Sequence, residues 1–351
     1  MNNIKETKEG VTINCPGCGS KLCYDPKCKK FICSTCKNEL TLKELKSKKS
    51  SIEKNTIADK KSKDYICPNC GAKVDAEKNS ATGFCGYCKS PVILSGRISG
   101  TDKPTYIVPF QIDKEEAFKA IKEYLNQFSY APKAFKKKSN LAKISSYYYP
   151  AWNSNFKTDS SYTFKAYNES SYRRGDYIYT TRKYYDVVRE GDMDFENISV
   201  FASKDDANEL IENVLYYPKN DYEEFAQEYL SGYNSKINEY TYQEVDNKTK
   251  QKLDKFAKNA MLETVRNYDS ISCNNYSNQV LSEEHNNVML PVWVADFKFG
   301  KKTYKFMING VTGKCCGQVP YSKGLVFRNS LFVSAGIFAS IVFLGVLVNV
   351  L

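Results

Sequence analysis

The sequence predicts an α+β protein with two small four-cysteine modules at the front and an apolar helix at the back. Three observations lead there. Ten of the thirteen cysteines fall within the first 88 residues. The middle of the chain alternates strand-like and helical patterning. The last 21 residues, Leu331 to Leu351, carry no charge. A length of 351 residues allows two or three folded units. Hydrophobic residues at 42% and charged residues at 26% exclude wholesale disorder.

The cysteines pair at short spacing. Cys15 and Cys18 form one C-x-x-C, Cys33 and Cys36 a second, Cys67 and Cys70 a third, and Cys85 and Cys88 a fourth. Each member of the second set stands 52 residues after its counterpart in the first, so the arrangement is an internal duplication. Short spacing lets two thiolates converge on one ion, and two such knuckles complete a tetrahedral four-cysteine site of the zinc-ribbon kind. Two structural Zn2+ ions are expected, in zinc ribbons at 11–42 and 65–96. A disulfide framework is the competing account, and the polar start MNNIKETKEG, with no apolar leader, argues against it. The lone histidine, His285, excludes mixed Cys/His fingers and paired-histidine metalloprotease motifs. Cys23 and Cys28 have no thiol counterpart in the duplicate and read as spare surface thiols. Cys273, Cys315 and Cys316 read as structural or incidental.

Residues 43–64 contain eight lysines and no aromatic residue, and read as a flexible linker between the ribbons. The α+β domain, with an antiparallel sheet, is placed at 104–323. Tyr106 to Ile112 reads as a strand. Asp113 and Glu116 fit a capping box ahead of a helix whose apolar positions run from Ala117 to Phe128. The tyrosine-rich text from Tyr147 onward reads as half-exposed antiparallel strands. Asp205 to Leu215 and Asp246 to Tyr268 read as helices. Val292 to Ile308 reads as two strands joined around Gly300, and Asn309-Gly310 and Thr312-Gly313 as turns. His285, among Glu and Asn residues, reads as part of a surface loop.

The transmembrane anchor is placed at 328–351. Its uncharged run, 331–351, would reach about 30 Å as a helix, enough to cross a bilayer. Lys323 and Arg328 flank its N-terminal side, which by the positive-inside rule places the bulk of the protein in the cytoplasm and the chain in the cell membrane as a single-pass, tail-anchored protein. A reducing cytosol suits thiolate metal sites. The α+β text offers no catalytic constellation. Gly313-Lys314 lacks the rest of a phosphate loop, and Arg173, Arg174, Arg182, Lys183 and Arg189 are interspersed with acids as on an ordinary sheet surface. No enzymatic activity is expected.

The order of features resembles a family of bacterial membrane-anchored TFIIB-type zinc-ribbon proteins. The resemblance rests on Cys15-Pro-Gly-Cys18-Gly with Tyr24-Asp-Pro26, Pro109-Phe-x-Ile-x-Lys-Glu-Glu116, and Ala131-Pro132 with Phe135. It continues through Tyr149-Pro-Ala-Trp152, Ala202-Ser-Lys204, Tyr229-Leu-Ser-Gly-Tyr233 and Leu290-Pro-Val-Trp293, with Gly300, Tyr304, Phe306, Asn309-Gly310, Thr312-Gly313 and Pro320 beyond. It implies the eight ribbon cysteines as zinc ligands, the tail as anchor and a membrane-stress setting. There, flotillin-like (SPFH) or phage-shock A-like proteins are the implied cytosolic partners.

Two functions follow as expectations. One is a membrane adaptor or scaffold whose linker-borne ribbons capture a cytosolic protein partner. The alternative is a membrane-tethered nucleic-acid-binding protein, suggested by Lys21, Lys27, Lys29 and Lys30 beside Tyr24 and Phe31. Charge weakens the alternative. Residues 1–103 hold 20 Lys and Arg against 11 acids, and the rest 31 against 29. Two four-thiolate zinc sites would each carry a formal charge of about −2 and offset part of that N-terminal excess.

Overall fold

The computed structural model describes residues 8–48, 64–98, 103–137, 141–204, 210 and 212–350. In the first cysteine module a lead-in strand β1 (Lys8–Glu9) is followed by β2 (Leu22–Asp25), β3 (Lys30–Cys33), β4 (Glu39–Leu40) and α1 (Leu42–Lys48). The second module contains β5 (Asp64–Ile66), β6 (Lys73–Asp75), β7 (Thr82–Phe84) and β8 (Pro91–Ile93). The two are interlocked, because β1 pairs in parallel with β5 and Val11 bridges Ile93.

Next come β9 (Tyr106–Ile107), α2 (Lys114–Asn126), β10 (Leu141–Arg174), β11 (Tyr177–Phe201), β12 (Glu223–Glu224) and β13 (Asn234–Ser235). They are followed by α3 (Tyr242–Glu263), β14 (Ser270–Phe299), β15 (Lys302–Asn309), β16 (Cys315–Gly317) and α4 (Lys323–Val350). The main sheet runs β11-β10-β14-β15-β16, antiparallel throughout. The chain is thus α+β with antiparallel sheets, two N-terminal four-cysteine clusters and one apolar C-terminal helix.

Strand β10 is 34 residues long, a contour of roughly 110 Å at ~3.3 Å per residue. Its first part lies in the core and its second part extends outward as a blade between β11 and β14. Along the blade Phe156, Tyr162, Phe164 and Ala166 are buried while Lys157, Asp159 and Lys165 are exposed, the period-two alternation of a one-sided sheet. The buried face is covered by α3 through Val245, Thr249, Leu253, Ala257 and Met261. Beyond the pair Tyr167–Ser270 the third strand stops, and Asn168 to Lys183 continues as a two-stranded hairpin turning at Gly175.

Helix starts follow local chemistry. Glu116 accepts from the Asp113 N–H at 2.8 Å while Asp113 accepts from the Glu116 N–H at 2.8 Å. Glu244 accepts from the Thr241 N–H at 2.7 Å, which starts α3 about one turn earlier than the pattern from Asp246 suggests. It ends at Glu263, before Asn267 takes a positive φ of 69°. Of the helix expected at Asp205 to Leu215, residues 205–209 and 211 lie outside the described residues; Leu210 and Glu212 are helical. The strand expected at Tyr106 to Ile112 forms a ladder over Tyr106–Ile107 and ends with the Val108 N–H on the Met289 carbonyl at 2.9 Å, since Pro109 has no N–H to continue it.

The linker expectation for 43–64 needs a correction. Its first residues belong to α1, capped by Thr41 and Glu44 (Thr41 N–H to Glu44 at 2.8 Å), with Leu45 buried in the core; residues 49–63 lie outside the described ones. The modules do not hang free of the central domain. Both pack on the segment 226–237 of the central domain. The Ser231 hydroxyl donates to the Leu22 carbonyl at 2.6 Å, and the Tyr233 hydroxyl to the Tyr24 carbonyl at 3.2 Å. The Thr82 hydroxyl donates to the Tyr233 carbonyl at 2.9 Å, and the Ala81 N–H to the Ser235 carbonyl at 2.8 Å. One apolar core runs from Leu22, Tyr24 and Phe31 through Tyr229 and Tyr233 to Phe110 and Trp293.

Gly232 sits at the centre of this clamp with φ +96°, and a Cβ there would stand 3.2 Å from the Cβ of Cys23. Gly232→Ala is expected to cost at least about 1 kcal/mol. It should also loosen the first module, which alkylation of Cys23 followed by mass spectrometry would register as a faster reaction than in the wild type.

Candidate metal centres

Four backbone turns of one design present the cysteines. In each, the N–H of the first cysteine donates to the carbonyl five residues on: Cys15 to Ser20 at 2.7 Å, Cys33 to Asn38 at 3.0 Å, Cys67 to Ala72 at 2.8 Å and Cys85 to Ser90 at 2.9 Å. The residue after the second cysteine donates back to the first and takes a positive φ. Glycine fills that place at Gly19 and Gly71 (φ +73° and +72°), lysine at Lys37 and Lys89 (φ 60° and 58°). Lysine in this conformation costs about 1–2 kcal/mol relative to the right-handed region, so the turn is held by what it binds and packs against.

The turns bring Cys15, Cys18, Cys33 and Cys36 together, and Cys67, Cys70, Cys85 and Cys88 together, each set of sulfurs within 4.8 Å of one another. Sulfur separations are 3.7 Å for Cys15–Cys36, 3.4 Å for Cys18–Cys33, and 3.6 Å for both Cys67–Cys88 and Cys70–Cys85. Four thiolates about 2.3 Å from one tetrahedral ion stand roughly 3.8 Å apart, so the spacing fits metal. It is far too long for disulfides, whose sulfurs are about 2.0 Å apart. All thirteen cysteines are free thiols. Each group of four can hold one metal ion.

Burial divides each cluster in two. Cys15, Cys33, Cys67 and Cys85 are buried, whereas Cys18, Cys36 and Cys70 are exposed and Cys88 is half-buried. An ion at either centre would tie outward-facing turns to the core, and four sulfurs leave no open position for a substrate.

The thiols do not ionise together easily. The N–H and hydroxyl of Ser20 hold the Cys18 thiol down at about 6. At Cys36 the Asn38 N–H pulls the same way, but the Cys18 and Cys33 sulfurs and burial outweigh it and push the thiol up to about 12. In the second cluster the hydroxyl and N–H of Ser90 hold Cys88 at about 5. Cys70 is pushed up to about 12, the Ala72 N–H being outweighed by the Cys88 sulfur, burial and the Cys85 sulfur. Neighbouring sulfurs repel one another's charge, and the attraction of each thiolate to a bound dication would outweigh that repulsion.

Cys23 is not the surface thiol its position suggested. It is half-buried under Gly232, and burial pushes its thiol up. Cys28 is exposed. Cys315 is pushed up to about 12 by burial, and Cys316 contacts the Leu210 carbonyl at 3.1 Å. Cys273 is half-buried, and none of these five cysteines joins a cluster.

His285 lies in strand β14, not in a loop, opposite Ser154 and stacked on Tyr242 with ring centres 3.8 Å apart. Tyr24 and Phe31, which sequence pairs with four lysines, are buried against Tyr229 at 5.0 and 5.6 Å. Lys27 and Lys30 of that group are ion-paired, to Asp113 at 2.6 Å and Glu39 at 2.9 Å.

Sequence reasoning reads this text as half-exposed strands but missed that Tyr172, Tyr177, Ile178, Tyr179 and Tyr184 form an exposed blade tip. The signal was present as alternating tyrosines around a Gly-Asp turn, but nothing local shows that the third strand ends before them.

No family model and no solved structure matches the chain. An uncharacterized protein of Bacillus subtilis (strain 168), YdjG, is 25% identical to it over 331 residues, covering 94% of this chain and 96% of the relative. The likeness therefore spans nearly the whole length of both chains.

Metal analysis of the purified full chain is expected to give two ions per molecule, one for each cluster. Replacing Cys67 and Cys70 by Ser should leave one, measured by inductively coupled plasma mass spectrometry against protein concentration.

Proposed function

We propose that the chain is a tail-anchored membrane adaptor whose two zinc-ribbon modules are structural, and that it recruits a cytosolic protein partner. Zinc is the metal this donor set suits best, since four thiolates in a closed tetrahedral site favour it. The ions brace the modules, the modules complete the core of the central domain, and α4 inserts in the bilayer.

The observation that carries the adaptor reading is the placement of the blade tip relative to the anchor. Strand β16 ends at Gly317, in line across the sheet with Phe306, Ala295 and Ile144. The tip lies at Arg174, thirty residues further along β10, a contour of about 100 Å. It exposes Tyr172 at 59%, Tyr177 at 72% and Tyr184 at 71%. Rigid exposed tyrosines with arginine beside them are what protein interfaces use as anchors. By family resemblance the partner is a flotillin-like (SPFH) or phage-shock A-like protein, and the setting a membrane under stress. The nucleic-acid alternative has less to support it, because the first module's aromatics are turned into the core.

The test uses the full chain in detergent, immobilised and exposed to a purified flotillin-like and a purified phage-shock A-like protein from the same cell. Retention of one of them, weakened about tenfold or more when Ser170–Thr181 is replaced by a two-residue turn, is the expected result. Retention of neither, or retention indifferent to the shortened hairpin, sinks the reading. Resistance of the chain to alkaline carbonate extraction from membranes is expected separately from α4.

A further inference from the structure

We propose that the anchor-side end of the sheet docks on anionic phospholipid, and that a cleft between α2 and β14 seats one such lipid molecule. This rests on α4 being a membrane anchor.

Charge is segregated along the central domain. Residues 119–143 and 296–328 together hold 14 Lys and Arg against two acids, whereas the rest of the chain from 104 onward holds 17 against 27. The fold brings the described residues of these two segments, 119–137 with 141–143 and 296–328, to one place. Phe135 packs on Phe297, Phe299 and Tyr304 with ring centres 5.8, 5.4 and 5.2 Å away. The Tyr124 hydroxyl donates to the Gly317 carbonyl at 3.0 Å, and the Ser322 N–H donates to the Tyr130 carbonyl at 2.9 Å, one residue before α4 begins. The basic end is therefore the foot from which the apolar helix leaves.

Of the two acids within it, one is ion-paired and the other is flanked by lysines across the sheet. Glu123 lies 3.9 Å from Lys119, and Asp296 stands in register between Lys143 and Lys305. Lys122, Lys133, Lys137, Lys298, Lys301 and Lys302 are exposed and form no ion pair among the described residues. Tyr130, Tyr321 and Phe327 are 45%, 68% and 72% exposed around the same foot, where amphipathic rings meet a bilayer's headgroup layer.

Between α2 and β14 lies a cleft of about 410 Å3 lined by Phe118, Ile121, Leu125 and Phe297 and by Lys122 and Lys136. That volume lies within the range of roughly 300–1,000 Å3 usual for sites that take small molecules. Apolar lining suits acyl carbons and two ammonium groups suit one phosphate. A choline headgroup would bring its own cation against the lysines and lose that advantage. A lipid fits this place better than a nucleic acid because the cleft lies in the same basic foot from which the anchor leaves and half its lining is hydrocarbon.

The experiment is native mass spectrometry of the full chain released from neutral detergent after addition of phosphatidylglycerol or phosphatidylcholine. One phosphatidylglycerol should be retained per chain, about tenfold more than phosphatidylcholine, and Lys122→Glu with Lys136→Glu should remove that preference. Lys122→Gln with Lys136→Gln, which keeps side-chain length without reversing charge, carries the same expectation should the first pair misfold by circular dichroism. Equal retention of the two lipids, retention unaffected by both pairs, or displacement by millimolar inorganic phosphate would each overturn the proposal. Carbonate extraction of the same variants reads the anchor alone: release from membranes would refute the anchor while leaving the lipid measurement standing.

Discussion

The hydrogen bond from the Ser231 hydroxyl to the Leu22 carbonyl, buried at 2.6 Å, marks the interaction on which the architecture depends. Two modules of about thirty residues each cannot bury much apolar surface alone. Here they are completed by one segment of the central domain, 226–237, which offers Tyr229 and Tyr233 to the first and backbone partners at Tyr233, Ser235 and Ile237 to the second. Because Phe110 stacks on Tyr233 with ring centres 4.5 Å apart, the clamp is continuous with the core under α2. A disturbance at either metal centre is therefore felt in the main sheet.

The sheet in turn separates two environments along one strand. Near Leu141 the face of β10 is shared with β14 and β15, and basic groups gather. Far along it, α3 protects one face through Leu253, Ala257 and Met261, and then nothing follows but a tyrosine-bearing hairpin. Antiparallel strands of this length need a register that cannot slip. The alternation of buried and exposed residues from Ser154 to Ala166, matched to α3, supplies it.

What was legible in the sequence was local chemistry. Repeated C-x-x-C spacing carries the clusters, because a metal site is defined by a handful of residues close in the chain. The capping box at Asp113 and the uncharged run from Leu331 are equally local. What was not legible was long-range. The segment Ser270 to Asn287 is rich in Ser, Asn and Glu and has little strand propensity. It is a strand because β10 lies alongside it, which is why His285 looked like a loop residue. Docking of the modules was hidden for the same reason. Tyr229 to Tyr233 could be seen as a motif, but its partners lie some 209 residues earlier, at Leu22 and Tyr24. The helix α1 was missed although Thr41 and Glu44 announce it, since the lysines around them carry the composition of a linker.

The parallel pairing of β1 with β5, together with the late position of 226–237, bears on how the protein is made. The first module emerges from the ribosome long before the segment that clamps it. At about 5–20 residues per second, the 209 residues between Leu22 and Ser231 take roughly 10–40 s to synthesise. During that time the short-range turns around Cys15 and Cys33 are the organisation this module can form unaided, and its thiols are open to metal and to oxidants alike. An ion held by these four thiols would keep them from oxidation until the clamp arrives.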